Sequence, residues 1–154
     1  MKSVMDHTFS QVPKAEIPRS SFDRSHGYKT TFDAGKLIPI FVDEALPGDT
    51  FNLDMTAFAR LATPINPIMD NLYLDVQFFS VPMRQLWINF RKFMGERVDP
   101  DDSIDFTIPT RTATPTEGSF EDYLGLPIGN VVTFSALYLR AYRHIYNEWY
   151  RDQN

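Results

Sequence analysis

The sequence predicts a mainly β chain with helical insertions and long loops. Three observations carry this. Apolar residues alternate with period two in three separate stretches. Eleven prolines are spread along the whole chain and do not cluster in a linker. The aromatic content of 14% suits short strands joined by ordered loops with extensive contact surface.

The first 36 residues show no sustained periodicity. Pro13 and Pro18 bias their preceding residues towards extended backbone, and Gly27 and Gly35 mark turns. A structureless segment of this length is uncommon inside a compact domain. Residues 1–36 are therefore expected to form an extended N-terminal arm lying along another subunit. Residues 37–154 form the folded part.

The first strand is expected in "LIPIFVDEA", where Ile38, Ile40 and Val42 alternate with Pro39, Phe41 and Asp43. Pro39 has no N–H to give to a ladder, so an edge or bulge is expected there. "LPGD" (46–49) places proline and glycine at the central positions of a type II turn. A second strand follows, with Phe51, Leu53, Met55 and Ala57 on one face and Asn52, Asp54 and Thr56 on the other. After the proline-punctuated loop "TPINPIMDN" comes the clearest strand, "LYLDVQFFSV". Leu72, Leu74, Val76 and Phe78 share one face, and Tyr73, Asp75, Gln77 and Phe79 the other. The connection is too long for a tight hairpin, so this strand is expected to cross to another sheet.

Pro82 suits the first turn of a helix. Leu86, Trp87, Phe90, Phe93 and Met94 recur at helical spacing, and Gly95 supplies a left-handed cap. Residues 96–118 read as loop. Ser119, three residues before Asp122, resembles a capping box and predicts a short helix through Leu124. Ser135 is expected to cap a longer helix to about Tyr150, with Phe134 and Leu139 placed as a hydrophobic staple. Three strands do not close a sandwich or barrel, and no turn signal follows "HIYNEWYRDQN". The chain reads as the beginning of something larger.

Bulk composition excludes several functions. The chain has no cysteine, which removes disulfides, thiolate metal sites and a cysteine nucleophile, and fits a reducing compartment. A net charge of −5 argues against a dedicated double-stranded nucleic-acid reader while allowing local basic patches. No apolar run is long enough to span a membrane, and the first twenty residues lack the apolar stretch of a secretory signal. A soluble protein made in a cytoplasm is expected, with no cofactor and no metal.

Three constellations bear on chemistry. Asp23, Ser25, His26 and Asp33 in "SSFDRSHGYKTTFDAG" are the residue types of a hydrolase triad. A triad is defined by geometry, however, and no G-x-S-x-G elbow or glycine-rich oxyanion turn surrounds Ser25. The preferred reading is an ordered arm in which Arg24 and His26 make inter-subunit or local hydrogen bonds. Asp99, Asp101, Asp102 and Asp105 offer oxygen ligands for calcium, but lack the glycine and terminal glutamate of an EF-hand loop; a solvated acidic loop is preferred. His7, His26 and His144 are too far apart to suggest metal-ligand spacing.

The C-terminal helix carries the strongest pattern. Tyr138, Tyr142, Tyr146 and Tyr150 recur every four residues beside a Leu137, Ala141, Ile145, Trp149 row. Arg140, Arg143 and Arg151 are interspersed. Tyrosine, tryptophan and arginine are the residues of subunit interfaces, and aromatics beside arginine also stack unpaired bases. Core plus interface is preferred over contact with single-stranded DNA.

Several segments resemble one family. "IPRSSFDRSHGYKTTFDAGKLIPIFVDEALPGDTF", "FARLATPINPIMDNLYLDVQFFSVP", "KFMGE" and "YRHIYNEWYRDQN" are similar, in order along nearly the whole chain, to the N-terminal portion of the major capsid protein of microviruses, in the gokushovirus branch. The resemblance implies a viral jelly-roll β-sandwich, of whose eight strands only the opening ones are present. It implies a structural subunit and no enzyme. The subunit would assemble with itself and other virion proteins, in the host cytoplasm, into a T=1 icosahedral shell around a circular single-stranded DNA genome. A carbohydrate-binding β-sandwich module and a hydrolase using Ser25 and His26 are the alternatives.

Overall fold

A computed structural model describes residues 18–153. Its regular elements crowd into the second half of the chain. Two single-turn helices, α1 (Met83–Leu86) and α2 (Phe90–Phe93), precede strand β1 (Thr110–Ala113). Helix α3 (Phe120–Tyr123) lies between β1 and strand β2 (Val132–Ser135). Helix α4 (Leu137–Ile145) follows and passes into a π-helical turn, Tyr146–Tyr150.

β1 and β2 form a two-stranded antiparallel sheet, with Thr110 opposite Ser135 and Ala113 opposite Val132. The hydroxyls of Thr112 and Thr133, also opposite one another, are 2.8 Å apart, a cross-strand pair that helps fix the register. The Ala136 N–H donates to the Pro109 carbonyl at 2.8 Å and carries the ladder one step further. Between the strands, Pro115 is fully buried and its carbonyl accepts from Gly129 N–H at 3.0 Å, drawing the excursion that contains α3 back on itself.

The core sits where α1 meets α4. Leu86, Trp87 and Leu137 are buried, and Val81, Met83, Phe90, Phe93, Phe106 and Ala141 pack against them. Trp87 and Phe93 meet at a ring separation of 5.4 Å. The Arg140 guanidinium donates to the Leu86 carbonyl at 3.1 Å, which also ties α4 to the end of α1.

Several expectations hold at their stated residues. The 46–49 turn closes through Asp49 N–H to the Leu46 carbonyl at 3.1 Å, with Gly48 at φ 88°, where a side chain would be strained. Gly95 ends α2 at φ 96°. The Ser119 hydroxyl accepts from Asp122 N–H at 3.3 Å and caps α3. The long C-terminal helix ends at Tyr150, its last turn widened to π.

Four expectations need correction. The single helix after Pro82 is two turns broken at Trp87, whose backbone is extended (φ −147°, ψ 116°); the break lets both Leu86 and Trp87 enter the core. Ser135 ends β2 and does not cap α4 in the ordinary way; its hydroxyl accepts from Leu137 N–H at 3.3 Å, while Ala136 takes the N-cap position. Gly27 makes no turn. Most importantly, the stretches at 38–42, 51–57 and 72–78 are extended but enter no ladder. Residues 50–81 make no backbone–backbone hydrogen bond with any other described residue. A strand exists only when a partner supplies the other half of its hydrogen bonds, and among the described residues none does. The observed strands lie instead at 110–113, inside the expected loop, and at 132–135.

Candidate functional site

The residues singled out by sequence converge on one seam, along which α4 and its π-helical turn hold extended chain. It starts in the arm. Arg24 pairs with Asp43 at 2.9 Å, and the arm's Arg19 donates to the Gly48 carbonyl at 2.8 Å. His26 Nδ1 lies 2.8 Å from the Arg24 carbonyl, and its ring stacks on Phe41 at 6.1 Å. Phe41 in turn meets Phe78 edge-on at 6.3 Å, which connects the arm to the 72–79 stretch.

Tyrosine hydroxyls fasten this seam. Tyr138 donates to the Glu44 carboxylate at 2.7 Å, and Tyr142 to the Leu37 carbonyl at 2.9 Å. Tyr150 donates to the side-chain oxygen of Gln77. Two more tyrosines join the arm to α3: Tyr28 donates to the Tyr123 carbonyl at 2.9 Å, and Tyr123 to the Thr31 carbonyl at 3.1 Å. The hydrogen bond to Glu44, with some burial, pushes Tyr138 up to about 12. Burial is the main cause of a raised Tyr142.

The adjacent row behaves differently along its length. Leu137 is buried and Ala141 packs against the core, but Trp149 is 71% exposed, touching Phe79 at 5.7 Å. Tyr146 is also exposed. Thus the helix is sunk at its start and open at its end, where an aromatic surface of Trp149, Tyr146 and Tyr150 remains accessible.

The three arginines of the helix separate. Arg140 is committed to the Leu86 carbonyl. Arg143 lines a cleft of about 350 Å³ with Arg111, Phe120, Glu121, Leu139 and Tyr142. Arg151 follows the helix, its backbone N–H closing the π turn onto the Tyr146 carbonyl at 2.8 Å. Sequence reading missed the Arg111–Glu121 ion pair in this cleft, 3.0 Å long with the carboxylate almost buried. The only prior signal was a glutamate inside a short apolar-flanked helix.

The triad residue types do not assemble into a triad. The Ser25 hydroxyl donates to Asp23 at 2.6 Å, as does the Ser25 N–H at 3.0 Å, and these bonds hold the Asp23 carboxyl below its usual range. His26 turns to the Arg24 carbonyl, and Asp33 pairs with Lys36 at 2.6 Å. In the acidic loop, the Asp102 carboxylate accepts from the N–H groups of Val98 and Asp99, which lowers its pKa. Among the described residues, no group of three or more acidic, histidine or cysteine side chains is arranged to hold a metal ion. His7 and Pro13 lie outside the described residues. Among the described residues, no helix is long and apolar enough to cross a membrane.

Comparison with known proteins gives a consistent result. Residues 10–154 match the family described as capsid protein (F protein). The capsid protein VP1 of Chlamydia phage 1 is 48% identical over 165 aligned residues, covering 100% of this chain and 28% of the relative. The capsid protein VP1 of Bdellovibrio phage phiMH2K is also 48% identical, over 96% of this chain and 28% of the relative. That of Spiroplasma virus 4 is 34% identical over 96% of this chain. The chain therefore spans 28% of the length of the curated relatives it matches.

Proposed function

The chain belongs to the phage capsid protein (F protein) family, the major capsid proteins of microviruses, and on that premise we propose that it acts as part of a structural subunit of a virion shell. The observation that carries this reading is the unpaired ribbon at 50–81. Its apolar side chains alternate and stay in water: Leu53, Leu72 and Leu74 are all about half exposed or more, and Phe58 is 92% exposed. The chain as a whole exposes 14547 Å², whereas a compact protein of 17.8 kDa would expose roughly 8,000 Å². Such a chain needs further polypeptide to cover it.

In this proposal residues 37–154 contribute opening strands to a jelly-roll sandwich, and residues 1–36 form an arm that is fastened to its own chain by contacts such as Arg24–Asp43 and also packs along a neighbouring subunit. The shell is a T=1 icosahedron enclosing a circular single-stranded DNA genome. It is built from copies of the subunit and other virion proteins in the host cytoplasm. Trp149 and Tyr146 are its exposed interface anchors. Arg24, His26, Tyr138, Tyr142 and Tyr150 lie along the same seam, where they set the shape presented to the neighbour. Supporting this, aromatic residues with arginine are the side chains that interfaces enrich. The reading assigns no catalysis to the Ser25 stretch, whose polar atoms are spent on local bonds.

Negative-stain microscopy of the full-length parent tests the proposal. Closed, uniform shells are expected. A parent that stays monomeric at high concentration would refute it. Limited proteolysis tests the arm: cleavage in the first 36 residues should be fast in the free subunit and slow in the shell, and equal rates would exclude an arm ordered by its neighbour.

A further inference from the structure

We infer that the cleft between β1, α3 and α4 is a binding site for an unpaired nucleotide of single-stranded nucleic acid. The inference deepens the capsid reading and rests on it only for the source of the strand. Phe120 and Tyr142 form the aromatic wall, with ring centroids 4.5 Å apart and planes inclined by 58°. Both are half-buried, and Tyr142 is pinned at its far end by its hydrogen bond to the Leu37 carbonyl. The wall is therefore preorganised along one side of the cleft that both residues line.

The charges at the rim are unequal. Glu121 is neutralised by Arg111 at 3.0 Å, so it does not repel an anion. The Arg143 guanidinium is exposed and makes no hydrogen bond or ion pair with any other described residue. The cleft thus offers one uncommitted cation next to aromatic surface, in a volume of about 350 Å³. A purely apolar ligand has no use for the cation, and a small inorganic anion has no use for the rings. A base joined to its own phosphate uses both. Duplex bases have their faces covered by stacking neighbours and cannot enter, so the strand must be unpaired.

The test is binding of a short fluorescent oligothymidylate to the full-length parent across a salt series. Arg143→Gln should weaken binding several-fold and flatten the slope of log affinity against log salt by about 0.7, the share of one phosphate contact on a single strand. Tyr142→Leu should weaken binding by about tenfold through lost stacking. Tyr142→Phe, which keeps the ring but loses the bond that pins it, should bind more weakly than the parent and more tightly than Tyr142→Leu; circular dichroism confirms that each variant is folded. Shells that form normally from Arg143→Gln, together with weaker strand binding, support the inference. An unchanged salt slope would overturn it, as would equal affinity for duplex of the same sequence, or competition by inorganic phosphate alone. Loss of shells with unchanged strand affinity would reassign the cleft to subunit contact and overturn the inference while leaving the capsid reading intact. Absence of shells from the unmodified parent would count against the capsid reading alone.

Discussion

The ribbon at 50–81 and the α1–α4 core are adjacent in sequence and comparably apolar, yet they differ in almost every physical respect. Around Leu86, Trp87 and Leu137, side chains leave water because helices satisfy their own backbone and can bring two faces together at once. In the ribbon, side chains alternate just as regularly, but extended backbone satisfies nothing by itself. Burial of one face must wait for a neighbour that also pairs the N–H and C=O groups. Helical segments can therefore assemble a local core within a fraction of a subunit, while strands of a sandwich cannot. Ordering the ribbon requires such a partner; ordering the core does not.

That contrast can be broken at its core end first. Trp87→Ala should cost about 3–5 kcal/mol in both the chain alone and the full-length parent, read by chemical denaturation. A cost confined to the parent would mean that the α1–α4 core is not autonomous. The ribbon gives the complementary case. Leu74→Ala should be nearly neutral, within about 0.5 kcal/mol, in the chain alone, and cost about 2–5 kcal/mol in the assembled protein. Gln77→Ala should stay within about 0.5 kcal/mol in both, because its bond from Tyr150 is exposed to water. Equal losses at Leu74 and Gln77 would mean a strand buried on both faces, or a shifted register.

Between these extremes lies the Arg111–Glu121 pair. Arg111 is half exposed but its partner is almost buried. Arg111→Ala should therefore cost about 1–2 kcal/mol, less than a fully buried pair, because water still reaches the cationic end. Chemical denaturation at neutral pH checks this, and no loss on Arg111→Ala would remove the pair from the fold's support.

The smallest effect concerns the seam itself. Tyr138 is raised from 10.0 to about 12, so the folded state holds this proton more tightly than the unfolded chain. Its contribution is complete below the ordinary tyrosine value and disappears as pH rises from 10 through about 12. Phenolate absorbance should show two late-titrating tyrosines, Tyr138 and Tyr142, of which one is lost in Tyr138→Phe and moves back towards the ordinary range in Glu44→Gln. A normal titration in the parent would remove the Tyr138–Glu44 bond from the seam.

Features decided within a few residues were legible in the sequence. The 46–49 turn, the Gly95 and Ser119 caps and the extent of the C-terminal helix follow from backbone preferences and hydrogen bonds of neighbouring groups. β1 and β2 were not legible, because four residues are too few for a period to register and each strand is defined by a partner some twenty positions away. The tyrosine row was legible as a pattern but not in its use. Its hydroxyls reach residues 94 and 105 positions earlier, at Glu44 and Leu37, and helical spacing carries no information about what the chain will lay across it. The same holds for Arg143, whose grouping with Arg140 came from spacing alone, while the fold gave the two arginines different employment.

Three of the tyrosine bonds, Tyr142 to Leu37, Tyr123 to Thr31 and Tyr28 to Tyr123, end on main-chain carbonyls. A carbonyl is present whatever side chain the residue bears. The recognition is thus asymmetric under mutation: the donor has to remain a tyrosine, but Thr31 and Leu37 can be exchanged for many other residues without losing the bond. A lineage under pressure to change its surface can rewrite much of the arm around Tyr28 while the clasp that holds it stays the same.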